Sequence, residues 1–134
     1  MKKSMLDTDI LSEFLRGNLK VIAKVDEYLK EFGFIYLSII TYYEILNGLL
    51  YKDARKQLKK FEQFVELNKV IFLTLQTTKI AAEIQADLRK RGTQIGHTDT
   101  LIAGIAIANQ MQLVTNNTEH FERIKGIQLA NWTK

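Results

Sequence analysis

Short apolar runs, each too brief to be a helix, alternate with helical periodicity along this chain. The runs are Met5-Leu6, Phe34 to Leu37, Val70 to Leu73 and Leu113-Val114, with Ile127 to Leu129 as a fifth. Between them apolar residues recur at helical spacing. The plainest set is Val21, Ile22, Val25, Tyr28, Leu29 and Phe32, with Gly33 as the stop. Ile10 to Arg16, Ile39 to Leu50, Ala54 to Val65, Ile80 to Leu88 and Leu101 to Ala108 read as further helices. Short buried strands alternating with helices imply an α/β fold: a central, mostly parallel sheet of four to five short strands flanked by helices. The 134 residues suit one domain, 1–134, and no repeat or linker divides them.

Several chemistries are excluded at once. The chain has no cysteine, which removes disulfides, thiolate zinc sites and cysteine nucleophiles. That agrees with a reducing compartment, and a cytoplasmic location is expected. No apolar run approaches the ~18 residues that span a bilayer, so no membrane partner is expected. A net charge of +4 leans towards an anionic partner such as nucleic acid.

In a parallel α/β sheet the reactive crevice lies beyond the carboxyl ends of the strands. Asp7 follows the first strand, with Asp9 two residues on. Ser38, Thr41 and Glu44 follow the second, and Thr115, Asn116 and Asn117 follow Leu113-Val114. Asp99 precedes the helix Leu101 to Ala108. Each has a plain structural reading beside the functional one. Asp7 and Asp9 suit helix N-caps, and Asp9 is read mainly as a local cap. Thr41-x-x-Glu44 has the form of a capping box. Asp99 in a first turn complements the helix dipole. Jointly, however, the acids map to one edge of one sheet. A carboxylate cluster without cysteine or a histidine pair at ligand spacing points to a hard cation, Mg²⁺ or Mn²⁺, with phosphate as the natural substrate group.

These residues also resemble a known family. LDTDILSEFLRG at 6–17, LSIITYYEILNG at 37–48, IGHTDTLIAGIAIANQMQLVTNN at 95–117 and VTNNTEHFERIKGIQLANW at 114–132 are together similar to the PIN-domain ribonucleases, most closely the VapC-type toxins of toxin–antitoxin pairs. The resemblance implies a PIN-like fold and a Mg²⁺-dependent endoribonuclease, held inactive by a cognate antitoxin protein. It places Asp7, Glu44, Asp99 and Asn117 in the catalytic site. Asp7, Glu44 and Asp99 would hold Mg²⁺, with Mn²⁺ as substitute, and Thr115, Asp9 and Ser38 would support them. Three positions depart from the family pattern: Asp9 stands where Asn or another small polar residue is usual, Asn117 where Asp is common, and His120 where an acid is often found. One firmly held metal is expected, with a second recruited by substrate phosphate.

Lys52, Arg55, Lys56, Lys59 and Lys60 form a basic stretch, read either as a solvated face or as an RNA-backbone track. On the second reading Lys52, Lys56, Lys59 and Arg16 bind RNA. Tyr42, Tyr43, Leu46, Leu49, Leu50 and Tyr51 are more apolar than one buried face requires, and the surplus suits a homodimer or an antitoxin contact. Trp132 is read as a packing residue. Three rivals stand beside the nuclease: a haloacid-dehalogenase-type phosphatase using Asp7 and Asp9, a metal-independent ribonuclease using His97 and His120, and a binding module without turnover.

Overall fold

The computed structural model describes the whole chain, Met1–Lys134. Five strands form one parallel sheet in the order β3-β2-β1-β4-β5. They are β1 (Ser4–Leu6), β2 (Tyr36–Ser38), β3 (Lys69–Ile71), β4 (Gln112–Val114) and β5 (Leu129–Ala130). The helices are α1 (Thr8–Leu15), α2 (Leu19–Phe32), α3 (Ile39–Tyr51), α4 (Arg55–Leu67), α5 (Leu75–Lys90), α6 (His97–Ala108) and α7 (Thr118–Phe121). The α/β fold expected from the alternation is present, and the fifth strand belongs to it, at Leu129–Ala130 rather than Ile127 to Leu129.

Side-chain alternation along the strands divides the core in two. Leu6, Leu37 and Val114 face one layer, where they pack with Ile10, Val21, Val25, Tyr28 and Phe61. Met5 and Leu113 face the other, with Leu88, Ile102, Ile105 and Phe121. Trp132 lies in the first layer, its ring 5.8 Å from that of Tyr28, so its reading as a packing residue holds.

Several element boundaries move from the sequence reading. The ends of β2 and β3 shift by one or two residues from the apolar runs, because register with β1 selects Tyr36–Ser38 and register with β2 selects Lys69–Ile71. α5 begins at Leu75 rather than Ile80, set by a reciprocal cap between Thr74 and Thr77. α6 begins at His97 rather than Leu101, which puts Asp99 in its first turn. Gly33 ends α2 in the left-handed conformation at φ 85°, as its position after Phe32 requires.

The tightest contact between helices places α6. A Cβ built on Gly104 would lie 2.9 Å from the Ala81 Cβ and 3.0 Å from both the Ala81 nitrogen and the Thr77 carbonyl oxygen of α5. Two of those three atoms are backbone, so no rotamer change relieves the clash. Gly104→Ala is therefore expected to destabilise the protein by about 1–3 kcal/mol in urea unfolding. A variant as stable as wild type would show that α5 and α6 separate without cost.

Candidate active site

β1 is the point at which the strand order changes direction, since the chain runs to β2 on one side and to β4 on the other. Ligand crevices open beyond the strand ends at such a point. Asp7 is the first residue past β1 there and is only 6% exposed. It occupies the N-cap position of α1, where its Oδ1 accepts from the Thr8 N–H at 2.8 Å. Its other oxygen, Oδ2, accepts from the Thr115 hydroxyl at 2.9 Å. That hydroxyl in turn accepts from the Asn117 N–H at 3.0 Å. The loop after β4 thus fixes the carboxylate that follows β1.

Asp9 is not the cap expected of it. It lies inside the first turn of α1, and its Oδ2 reaches across to accept from the Asn116 N–H at 3.0 Å. Asp7 has taken the cap position, because it is the residue at which the strand leaves the sheet in extended geometry, with φ −71° and ψ 163°. The capping-box reading of Glu44 also fails. Ser38 caps α3, its Oγ accepting from the Thr41 N–H at 3.0 Å, and Glu44 lies a turn and a half into the helix. Glu44 is instead held by Thr8, whose hydroxyl donates to Oε1 at 2.6 Å and lies 3.0 Å from the Thr41 hydroxyl. Ser38 acts here as the anchor of the helix that carries Glu44.

Asp99 approaches from the first turn of α6, and its Oδ2 is 3.0 Å from the Nε2 of His120 on α7. Asn117 is exposed at the start of α7. Arg16 is exposed and forms an ion pair with Glu13 on its own helix. Lys52, Lys56 and Lys59 are exposed, and Phe61 of α4 is buried in the core. Thr8 was not singled out from sequence. Its signal is only its place between two acids, and its partner is 36 residues away.

The electrostatics are those of unrelieved negative charge. Burial pushes the Asp7 carboxyl up to about 7, and the charge of Asp9 adds to this; the Thr115 and Thr8 hydrogen bonds oppose it, and Asp99 contributes a smaller push upward. Burial also raises Asp9, against the hydrogen bond from Asn116. The Asp9 Oδ1 is fully buried and has no hydrogen-bond partner. A buried carboxylate oxygen without a donor, next to a carboxyl that resists ionising, is a setting that a cation relieves. The oxygen-rich donor set suits a hard ion. No three acidic or histidine side chains lie close enough together to hold a metal ion among them.

The PIN domain family model matches residues 4–127. The chain belongs to the PIN domain family. Ribonuclease VapC1 of Haemophilus influenzae is 30% identical over 131 residues, covering 97% of this chain and 98% of that protein. Ribonuclease VapC2 of Rickettsia felis is 31% identical over 138 residues, again covering 97% of this chain and 98% of its own. Among solved structures, VapBC2 from Rickettsia felis, bound to a DNA fragment from its promoter, matches with a TM-score of 0.89 at 29% identity, covering 96% of this chain and 98% of the matched chain. DNA-bound VapBC from Salmonella typhimurium matches with the same TM-score of 0.89 and 29% identity, over 98% of this chain and 99% of the other. In this PIN domain the candidate residues Asp7, Glu44, Asp99 and Asn117 are carried by the end of β1, by α3, by α6 and by the loop after β4.

Proposed function

We propose that this PIN domain, residues 1–134, is the toxin of a toxin–antitoxin pair and a metal-dependent endoribonuclease. The observation that carries the chemistry is the buried Asp7, raised by burial and by its acidic neighbours at the sheet's switch point. Asp7, Glu44 and Asp99 hold the cation directly or through water. A bound Mg²⁺, or Mn²⁺ in its place, supplies Lewis acidity to a phosphate oxygen and lowers the pKa of a water. One of the three carboxylates takes the proton from the attacking water. Thr115 keeps Asp7 oriented through its hydroxyl, and Asn117, exposed beside it, orients water or a scissile phosphate oxygen. Asp9 adds negative charge beside Asp7, which a cation would offset, and fixes the loop at Asn116. Arg16, Lys52, Lys56 and Lys59 are exposed cations available to the RNA backbone.

The partner is an antitoxin protein that places an Arg among the carboxylates, where a guanidinium forms bidentate pairs. Tyr43, Leu50 and Tyr51 of α3 are exposed and offer apolar surface for that protein or for a homodimer. No helix is long and apolar enough to cross a membrane.

The rivals fare less well. His97 lines a cleft with Ala82 and Arg89 of α5, whereas His120 is paired with Asp99, and no hydrogen bond joins the two histidines. Asp9 holds the Asn116 N–H through Oδ2, and its other oxygen is buried rather than open to a substrate.

The test is cleavage of RNA by the purified chain, with sequencing of the ends. Mg²⁺ or Mn²⁺ is expected to support cleavage and EDTA to stop it. The products should carry 5′-phosphate and 3′-hydroxyl, because water rather than the ribose 2′-hydroxyl attacks. Full activity in EDTA with cyclic-phosphate ends would overturn the metal mechanism.

A further inference from the structure

We propose that His120 supplies an imidazole nitrogen to the cation held by Asp99, so that the site binds first-row transition ions such as Mn²⁺ and Co²⁺ in preference to Mg²⁺. This rests on the metal-site reading above and deepens it. The Nε2 of His120 lies 3.0 Å from the Asp99 Oδ2. Two neighbouring ligands on an octahedral ion with bonds of ~2.1 Å are separated by ~3.0 Å, so the pair already has the spacing that an ion imposes. In the absence of an ion the same spacing serves as a hydrogen bond.

The imidazole is also held in place. Its ring stands edge-on to that of Phe121, with centroids 5.5 Å apart and planes at 86°, and Phe121 is buried in the core. The backbone N–H of His120 donates to the Asn117 carbonyl at 3.2 Å, which ties the residue's main chain to the loop that fixes Asp7 and Asp9. Both side chains still reach solvent, at 24% exposure for His120 and 33% for Asp99, so a hydrated ion has access.

The donor type decides the selectivity. Mg²⁺ favours oxygen ligands and gains most from negative charge, whereas an imidazole nitrogen is a good ligand for later first-row ions. A neutral nitrogen beside Asp99 therefore disfavours Mg²⁺ relative to Mn²⁺, and Co²⁺ should gain more than Mn²⁺.

The experiment is calorimetric titration of the full chain with MgCl₂, MnCl₂ and CoCl₂, for wild type, His120→Ala and His120→Gln. Wild type is expected to bind Mn²⁺ at least about tenfold more tightly than Mg²⁺, and Co²⁺ more tightly still. Both variants should lose about tenfold or more for Mn²⁺ and Co²⁺, with Mg²⁺ nearly unchanged. His120→Gln keeps a hydrogen-bond donor for Asp99, so it separates loss of a ligand from loss of positioning. Pulsed EPR of the Mn²⁺-loaded protein should show nitrogen coupling in wild type and none in His120→Gln. Equal weakening of all three ions, or nitrogen coupling that survives in His120→Gln, would overturn the role of His120 and leave the metal site standing. Absence of binding by any of the ions to wild type would overturn both.

Discussion

Asp7→Asn, Glu44→Gln and Asp99→Asn are each expected to lower RNA cleavage by about a thousandfold or more while the protein remains folded. On the proposed mechanism each carboxylate serves two needs at once, holding the cation and setting the charge that positions a water. Loss of general acid–base assistance alone is worth roughly 10²–10⁴-fold, before any loss of metal is counted. The three substitutions should not be additive, because residues that act as one unit fail together. Asp7→Asn combined with Asp99→Asn should therefore be about as inactive as either alone. The measurement is single-turnover cleavage of a labelled RNA in excess Mg²⁺ or Mn²⁺, with thermal unfolding of each variant as the control for folding. A Glu44→Gln protein that cleaves at the wild-type rate would remove Glu44 from the site. The Thr8 hydroxyl bond to Glu44 would then be only a tie between α1 and α3.

The metal-free protein is expected to lose stability as pH rises from about 4 to about 8, and Asp7→Asn should abolish most of that loss. The Asp7 carboxyl is raised from 3.8 to about 7 in the native state. Below both values the native and unfolded carboxyls are protonated, and the group costs nothing. Between them the unfolded chain releases a proton that the native protein retains, so rising pH favours unfolding. Above about 7 both states are ionised and the loss is complete. A shift of this size corresponds to a loss on the order of 4 kcal/mol, or roughly 15 °C in melting temperature. The upward shift of Asp9 acts in the same direction. Asn retains an oxygen for the Thr8 N–H and caps about as well as Asp. The variant should therefore melt above wild type at about pH 8 in EDTA and show a flatter pH profile. Excess Mg²⁺ or Mn²⁺ should then raise the wild type, by about 2.7 kcal/mol at a hundred times the dissociation constant. It should raise the variant much less. An Asp7→Asn protein that melts below wild type in EDTA, with no shift on adding metal to either protein, would remove Asp7 as a metal ligand.

These opposite effects on stability and activity have one origin. A site built to hold a cation concentrates negative charge where burial makes it expensive. The loop 115–117 does not cancel that charge. It directs the Thr115 hydroxyl, itself held by the Asn117 N–H, at Asp7 and the Asn116 N–H at Asp9, which orients them and leaves one Asp9 oxygen without a donor.

The amino-acid sequence by itself determined the alternation of strands and helices, hence the parallel sheet, and the positions of the acids just past strand ends. Both follow from local physics: apolar periodicity, and the rule that such sheets present their crevice beyond the carboxyl ends. It also determined the stop at Gly33, the packing role of Trp132 and, through the ordered set Asp7, Glu44, Asp99 and Asn117, the family. The division of roles among these residues was decided by the tertiary structure. Asp7 and Asp9 look interchangeable as caps, and only the strand's exit geometry gave the cap to Asp7 and sent Asp9 to Asn116. Thr41 and Glu44 match a capping pattern, yet Ser38 caps the helix because β2 ends there. Thr8 with Glu44, Thr115 with Asp7 and His120 with Asp99 are 36, 108 and 21 residues apart. Such pairings carry no periodic signal in a single chain, because they exist only once the sheet order β3-β2-β1-β4-β5 brings α1, α3, α6 and the β4 loop to one edge.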